Sequence, residues 1–180
     1  MRTVLQEQDL AKRKTIEEEA SALLSRIGFD STGPVDPVAV ANELGLKVYN
    51  ATFDDEGIHG LIAKRPSNTS IYVNVNDRPV RKRFTVAHEL GHFVLHLAAG
   101  EGEFIDTQDN FRTIQDPDTP WDDVRRAEWE ANVFAAALLM PKEAVVRAWK
   151  EIADPEGMAA FFQVSQQAMT FRLDSLGLLE

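Results

Sequence analysis

The chain contains no cysteine among its 180 residues, so disulfide frameworks and thiolate metal sites are excluded. It also lacks any apolar run near the roughly 20 residues that a membrane helix needs. The first residues, 1–14, are polar and mixed in charge, without the apolar centre of a signal peptide. We therefore expect a cytoplasmic protein with no membrane partner.

Positive charge is scarce as well, with 19 Lys+Arg against 29 Asp+Glu and a net charge of −10. Binding to nucleic acid needs a concentrated positive surface, so we expect no direct nucleic acid partner. The length suits a single domain over residues 1–180, and 44% hydrophobic residues suit a globular core.

The spacing of apolar residues predicts an α+β fold. Three strand-like segments, 46–53, 58–64 and 70–75, follow one another through short turn sequences, which favours a small three-stranded, mainly antiparallel sheet. We expect this sheet to pack on a helical bundle, with residues 146–180 as a helical C-terminal extension. The Gly-, Asp- and Pro-rich segment 98–121 is longer than a plain connector, which is typical of a functional lid or a mobile loop.

The most informative stretch is His88-Glu89-Leu90-Gly91-His92. Two histidines four residues apart lie one turn apart on the same face of a helix, so both can reach one metal ion. Glu89 is then placed to take a proton from a zinc-activated water molecule. Apolar residues on both sides of the motif predict a buried helix, which argues against a surface helix with two incidental histidines. Gly91 suits a close approach by another backbone.

A catalytic zinc ion needs a third protein ligand. His96 is excluded on a straight helix, because eight residues separate it from His88 by about 12 Å. We expect His96 to cap the helix or to hydrogen-bond a ligand.

A later apolar helix carries two carboxylates, Glu128 and Glu130, and a buried carboxylate calls for a cation. The two are rotated by about 200° from each other, so only one of them can face the metal. We favour Glu128, because Asn132 shares its face one turn later and can hydrogen-bond a histidine ligand.

His59 and Tyr72 are candidates for contact with the substrate, although His59 can equally be a packing residue. Together with an arginine near the motif, they are candidates for stabilising an oxyanion. The strand 70–75, if it lies at the sheet edge, would hold an extended substrate by strand addition.

Two long segments, 83–96 and 128–141, resemble the ImmA/IrrE family of metallopeptidases. Shorter upstream matches extend the likeness over residues 35–145, and they are Val35-Asp36-Pro37, Gly45-Leu46 and Ile71-x-Val73-Asn74. The resemblance implies a compact gluzincin-type fold and a zinc-dependent protease, a hydrolase that acts on proteins.

The resemblance also implies one Zn2+ ion held by His88, His92 and Glu128, with Glu89 as the base. Relatives cleave a partner protein, commonly a helix-turn-helix repressor, and so release genes for mobile-element transfer, phage induction or the DNA-damage response. Many carry an N-terminal DNA-binding module, for which residues 1–34 are too short, so we expect a stand-alone peptidase domain. The competing hypothesis is a zinc-containing regulatory protein that sequesters its partner without cutting it.

The tail, residues 158–177, has the rhythm of a helix-turn-helix. Ser165 would cap a second helix that exposes two glutamines and Arg172. Because Arg172 is the only basic residue from Glu156 onward, we favour packing against the peptidase core over DNA recognition.

Overall fold

Seven helices and four strands form the part of the chain that this computed structural model describes, residues 2–97, 102–107 and 122–179. The helices are α1 (Arg2–Arg26), α2 (Pro37–Glu43), α3 (Pro79–Leu95), α4 (Asp123–Leu139), α5 (Lys142–Ile152), α6 (Pro155–Phe162) and α7 (Gln166–Ser175). The strands are β1 (Lys47–Ala51), β2 (Ile58–Lys64), β3 (Thr69–Asn74) and β4 (Gly102–Thr107). Across these residues, no helix combines the length and apolarity that crossing a membrane requires.

The sheet differs from the predicted one, because it has four strands in the order β1-β3-β2-β4 and is mixed. β1 and β3 are parallel neighbours, whereas β2 is antiparallel to both β3 and β4. β3 lies between β1 and β2 in the sheet, so these two strands do not pair although they are consecutive in the chain. The prediction of an α+β fold is confirmed, but the prediction of three mainly antiparallel strands is wrong in these details.

The fourth strand lies within the segment 98–121 that the sequence marks as a lid or a mobile loop. Its short acidic sequence has little strand character of its own, and it is held by pairing along β2 from Ile58–Thr107 to Lys64–Gly102. Residues 98–101 and 108–121 lie outside the described residues. β3 pairs on both sides, so the proposed strand addition at 70–75 is excluded.

Helix starts follow the capping signals of the sequence. The Asp36 side chain accepts a hydrogen bond from the Val38 backbone N–H at 2.9 Å, directly before α2. Asp122 accepts from the Arg125 backbone N–H at 2.8 Å and so fixes the start of α4. α2 ends at Glu43, and two residues later the chain turns at Gly45, whose φ of +77° suits glycine.

Helices α3 and α4 cross in close contact at Gly91 and Ala131. A methyl group on Gly91 would lie 2.9 Å from Cα and 3.1 Å from the carbonyl oxygen of Ala131. The close backbone approach expected from glycine in the motif therefore exists. It brings the histidine face of α3 against the carboxylate face of α4.

We expect Gly91→Ala to push α3 and α4 apart, because the atoms in its way belong to a backbone that cannot move alone. The overpacking should cost about 1–3 kcal/mol of stability. Chemical denaturation measures this effect. Gly33→Ala is the matched control, since nothing lies within 4 Å of a methyl group there. Equal stability of the two variants would contradict the close crossing.

The tail forms the two short helices α6 and α7, with Ser165 as N-cap of α7. Arg172, expected to be exposed in a DNA-reading helix, is only 3% exposed. Its Nη1 lies 2.7 Å from Glu17 Oε1 of α1, and its Nε donates to the Met140 carbonyl at 3.1 Å. The burial of Arg172 does not fit a DNA-reading helix and agrees with the favoured alternative, in which the tail packs on the core.

Candidate metal centre

Three side chains converge where α3 crosses α4: His88, His92 and Glu128. The two histidine Nε2 atoms are 3.0 Å apart. His88 Nε2 lies 3.3 Å from Glu128 Oε2, and His92 Nε2 lies 3.4 Å from Glu128 Oε1. All three residues are buried, with exposures of 2%, 0% and 4%.

These separations fit a tetrahedral metal ion. Bonds of about 2.0–2.1 Å to nitrogen and oxygen place two ligand atoms about 3.4 Å apart at the tetrahedral angle. Two imidazoles and one carboxylate are a common donor set of catalytic metal sites that keep a position open for water or substrate. The three residues therefore fit a small divalent cation.

Each histidine is held at its other ring nitrogen. His88 Nδ1 lies 3.0 Å from Asn132 Oδ1, and because a carbonyl oxygen only accepts, Nδ1 donates. His92 Nδ1 lies 3.1 Å from His96 Nδ1. His96 follows the last residue of α3 and contacts the edge of His92 that faces away from the cluster, as its distance from His88 predicts.

The two carboxylates of α4 face different groups. Glu128 lies against both histidines of the motif. Glu130 instead contacts His96, with 3.1 Å from Oε2 to Nε2, and Lys12, with 3.2 Å from Oε1 to Nζ. Glu128 is therefore part of the cluster, whereas Glu130 lies outside it and contacts His96 and Lys12.

Glu89 is fully buried beneath the motif helix, against β2. A methyl group on Gly60 would lie 3.3 Å from Glu89 Oε1. Among the described residues, neither carboxylate oxygen has a hydrogen-bond partner of good geometry, although the Ile62 backbone lies close enough to lower the pKa of Glu89 slightly. Burial raises the pKa of Glu89 well above its usual value, and the charges of Asp106 and Glu128 raise it further against the opposing effect of His88. This is a carboxylate with a strong affinity for a proton.

The charges of the cluster are shared unequally. Burial lowers the pKa of His92 to about 4. Burial also disfavours charge on His88, but the hydrogen bond to Glu128 and the nearby carboxylates raise the pKa of His88 to about 9. Burial would raise the pKa of Glu128, yet its contacts with both histidines lower it to about 2. At neutral pH, the metal-free cluster therefore carries one proton beyond those of two neutral imidazoles, and this additional proton is on His88.

We expect zinc binding at pH 7 to release about one proton, because the metal must displace the proton of His88. Affinity for zinc should rise with pH until the pKa of about 9 is passed. In the metal-free protein, the same proton contributes stability below pH 6.5 that is lost as the pH rises through about 9. Calorimetric titration in buffers of different ionisation enthalpy counts the proton, and affinity independent of pH between about 6 and 8 would contradict the assignment.

Strand β4 adds two residues that the sequence did not indicate. Phe104 stacks on His92 with ring centroids 4.1 Å apart and 14° between the planes. Asp106 is 5% exposed and accepts a hydrogen bond from Thr85 Oγ1 at 3.4 Å. In the structure they alternate with the more exposed Glu103 and Ile105, but in the sequence polar and apolar residues do not alternate here, so no pattern of period two marks them.

The weaker candidates are placed elsewhere. His59 Nδ1 pairs with Asp77 Oδ2 at 2.9 Å. Tyr72 neighbours Val73, whose cross-strand partner Gly60 faces α3, so Tyr72 lies on the opposite face of the sheet. There it stacks on Tyr49, with ring centroids 5.5 Å apart. Tyr72 therefore faces away from the motif helix, and its contact with a substrate stays a prediction.

The arginine nearest the motif in sequence also has a structural role. Arg83 donates from Nη2 to the Val35 carbonyl at 2.8 Å and from Nε to the Gln163 carbonyl at 3.3 Å. It ties the start of α3 to the chain before α2 and to the turn after α6. These contacts turn the guanidinium towards backbone carbonyls rather than towards an oxyanion.

Comparison with known proteins agrees with this arrangement. The Peptidase_M78 family model, described as the IrrE N-terminal-like domain, matches residues 41–174 and so reaches past residues 35–145 into the C-terminal helices. Metallopeptidase ImmA of Bacillus subtilis (strain 168) is 23% identical over 133 residues, which cover 73% of this chain and 72% of that protein. A Mycobacterium tuberculosis transcriptional regulator superposes with a TM-score of 0.59 and 17% identity, over 89% of this chain and 47% of that one. The chain spans about half the length of that structure, and the likeness concerns the fold alone.

Proposed function

The chain belongs to the IrrE N-terminal-like family of peptidases, and from this we propose that it is a zinc-dependent endopeptidase that cleaves a specific protein partner. The observation that carries the proposal is the buried triangle of His88, His92 and Glu128 beside the fully buried carboxylate of Glu89. A buried carboxylate is costly, and proton transfer in a reaction is a reason to keep it.

Zinc held by His88, His92 and Glu128 would supply Lewis-acid chemistry, which polarises a carbonyl and lowers the pKa of bound water towards neutrality. Glu89 accepts the proton of the attacking water and passes it to the leaving amine. Its pKa, raised by burial, makes the carboxylate a better base than an exposed glutamate. Asn132 and His96 hold the two ligand rings in place.

The family resemblance supports a transcriptional repressor of the helix-turn-helix type as the partner, in a stress response or in the regulation of phages and mobile elements. The competing function is a zinc-containing regulatory protein that binds such a partner without cutting it. The two proposed functions differ only in whether the peptide bonds of the partner are cut.

A capture experiment with the Glu89→Gln protein tests the proposal. The variant should retain its partner, which can be recovered from a lysate and identified. The purified partner is then incubated with the zinc-loaded wild-type protein, with and without a chelator. Cleavage that the chelator stops supports the peptidase. A partner that binds the wild-type protein and stays whole would instead establish the sequestering function.

A further inference from the structure

We propose that His96 and Glu130 are positioning residues that set the tautomer and the ring orientation of the ligand His92, a role that rests on the proposed metal site. The two residues form a line of hydrogen bonds that begins at His92 and ends at α1. The line runs on the side of His92 that faces away from the cluster, so neither residue touches the metal or the substrate.

The contacts are continuous and largely shielded from water. His92 Nδ1 lies 3.1 Å from His96 Nδ1, and His96 Nε2 lies 3.1 Å from Glu130 Oε2. Glu130 Oε1 lies 3.2 Å from Lys12 Nζ. The side chains of His96 and Glu130 are 17% and 9% exposed. Lys12 is 51% exposed, so its ion pair contributes little.

The chemistry of the groups fixes where each proton lies. The Glu130 carboxylate only accepts, so His96 Nε2 carries a proton and donates. A neutral His96 then has a lone pair on Nδ1, which accepts the proton of His92 Nδ1. His92 is left with its lone pair on Nε2, the atom that faces Glu128. With His96 neutral, a proton on Nε2 of His92 instead of Nδ1 would set two lone pairs against each other between the Nδ1 atoms.

The arrangement also explains why α4 carries two buried acids, Glu128 and Glu130. One contacts the motif histidines directly, and the other holds the partner of His92. Phe104 completes the arrangement, because it stacks on His92 at 4.1 Å and lies 5.5 Å from the His96 ring. Stacking on Phe104 thus fixes the plane of the His92 ring, and the hydrogen bond at Nδ1 fixes the orientation of the ring within that plane. Partners of this kind are worth about 10- to 100-fold in metal affinity.

Two substitutions of His96 in the full chain separate hydrogen bonding from packing. His96→Phe keeps an aromatic ring beside Phe104 but removes the acceptor, and it should weaken zinc binding about 10- to 100-fold. His96→Asn places its carbonyl oxygen near the position of Nδ1, and it should restore affinity to within about threefold of the wild type. Competition with a chromophoric chelator measures the zinc affinities. Thermal unfolding of the metal-free proteins should give the two variants similar melting temperatures.

Histidine NMR of the zinc-loaded wild-type protein gives a test without any substitution. We expect a proton on Nδ1 of His92 and a neutral His96 with its proton on Nε2. If His96→Phe fails to fold, Glu130→Met replaces it as the test variant, because it removes the acceptor for His96 Nε2. Its zinc affinity and the NMR assignment then decide whether His96 positions His92.

The outcomes separate this proposal from the proposed function. A wild-type protein that binds no zinc would overturn the function. A wild-type protein that binds zinc, with equal affinity in His96→Phe or with the His96 proton on Nδ1, would overturn the positioning role and leave the function standing.

Discussion

Glu89→Gln should lower kcat/KM for cleavage of the protein partner by about 10²- to 10⁴-fold, because it removes the group that takes the proton of water. Zinc affinity should change little, since the three ligand atoms come from other residues. The loss should fall on kcat rather than on KM. Kinetics with the captured partner and a parallel zinc titration measure the three quantities. Wild-type kcat in the variant would remove Glu89 from the reaction.

The same substitution should raise stability while it lowers activity. The folded-state pKa of Glu89 lies above its unfolded value of 4.5, so its ionisation destabilises the fold increasingly as the pH rises above that value. Glutamine cannot ionise, and its advantage over glutamate should be larger at high pH than at low pH. Denaturation of the metal-free proteins across pH tests this. Glu56→Gln, in an exposed turn, is the control and should show no such trend.

Glu128→Gln should weaken zinc binding by more than about a hundredfold, beyond the range expected for a residue that only supports a ligand. A neutral amide replaces the one anionic ligand of the cluster. Glu130→Gln should stay within about tenfold of the wild type, because its carbonyl still accepts from His96 Nε2. The two variants carry the same chemical change two residues apart on α4, so each is the control of the other. The reverse ranking would give the ligand role to Glu130.

Local spacing explains why much of the site follows from the sequence. His88 and His92 share a helix face by their separation alone, and so do Glu128 and Asn132 on the next helix. The distance along a straight helix also places His96 away from the cation. Only the crossing of α3 and α4 depends on tertiary structure, and the two helices cross at Gly91.

The parts that the sequence did not reveal depend on contacts between distant segments. β4 is a strand because it pairs with β2, and the pattern of its own residues gives almost no strand signal. Its inward residues, Phe104 and Asp106, were missed with it. Tyr72 faces away from the site because of the sheet register, which a strand's own sequence does not fix.

Arg172 shows the same limit at the other end of the chain. A lone arginine on a short helix is usually exposed, but here Glu17 of α1 and the Met140 carbonyl give it buried partners. Those partners are far away in sequence. The helix pair of the tail was therefore predictable, and the direction in which it presents its one basic residue was not.

The zinc content of the purified wild-type protein tests the central claim most directly. The protein should be prepared without chelator, supplied with excess zinc and dialysed before elemental analysis. The described residues contain one group of two histidines and one glutamate that could hold a metal ion, which predicts about one zinc ion per chain, lost in Glu128→Gln. A wild-type protein that retains well under about a tenth of an ion per chain would contradict a zinc site at His88, His92 and Glu128.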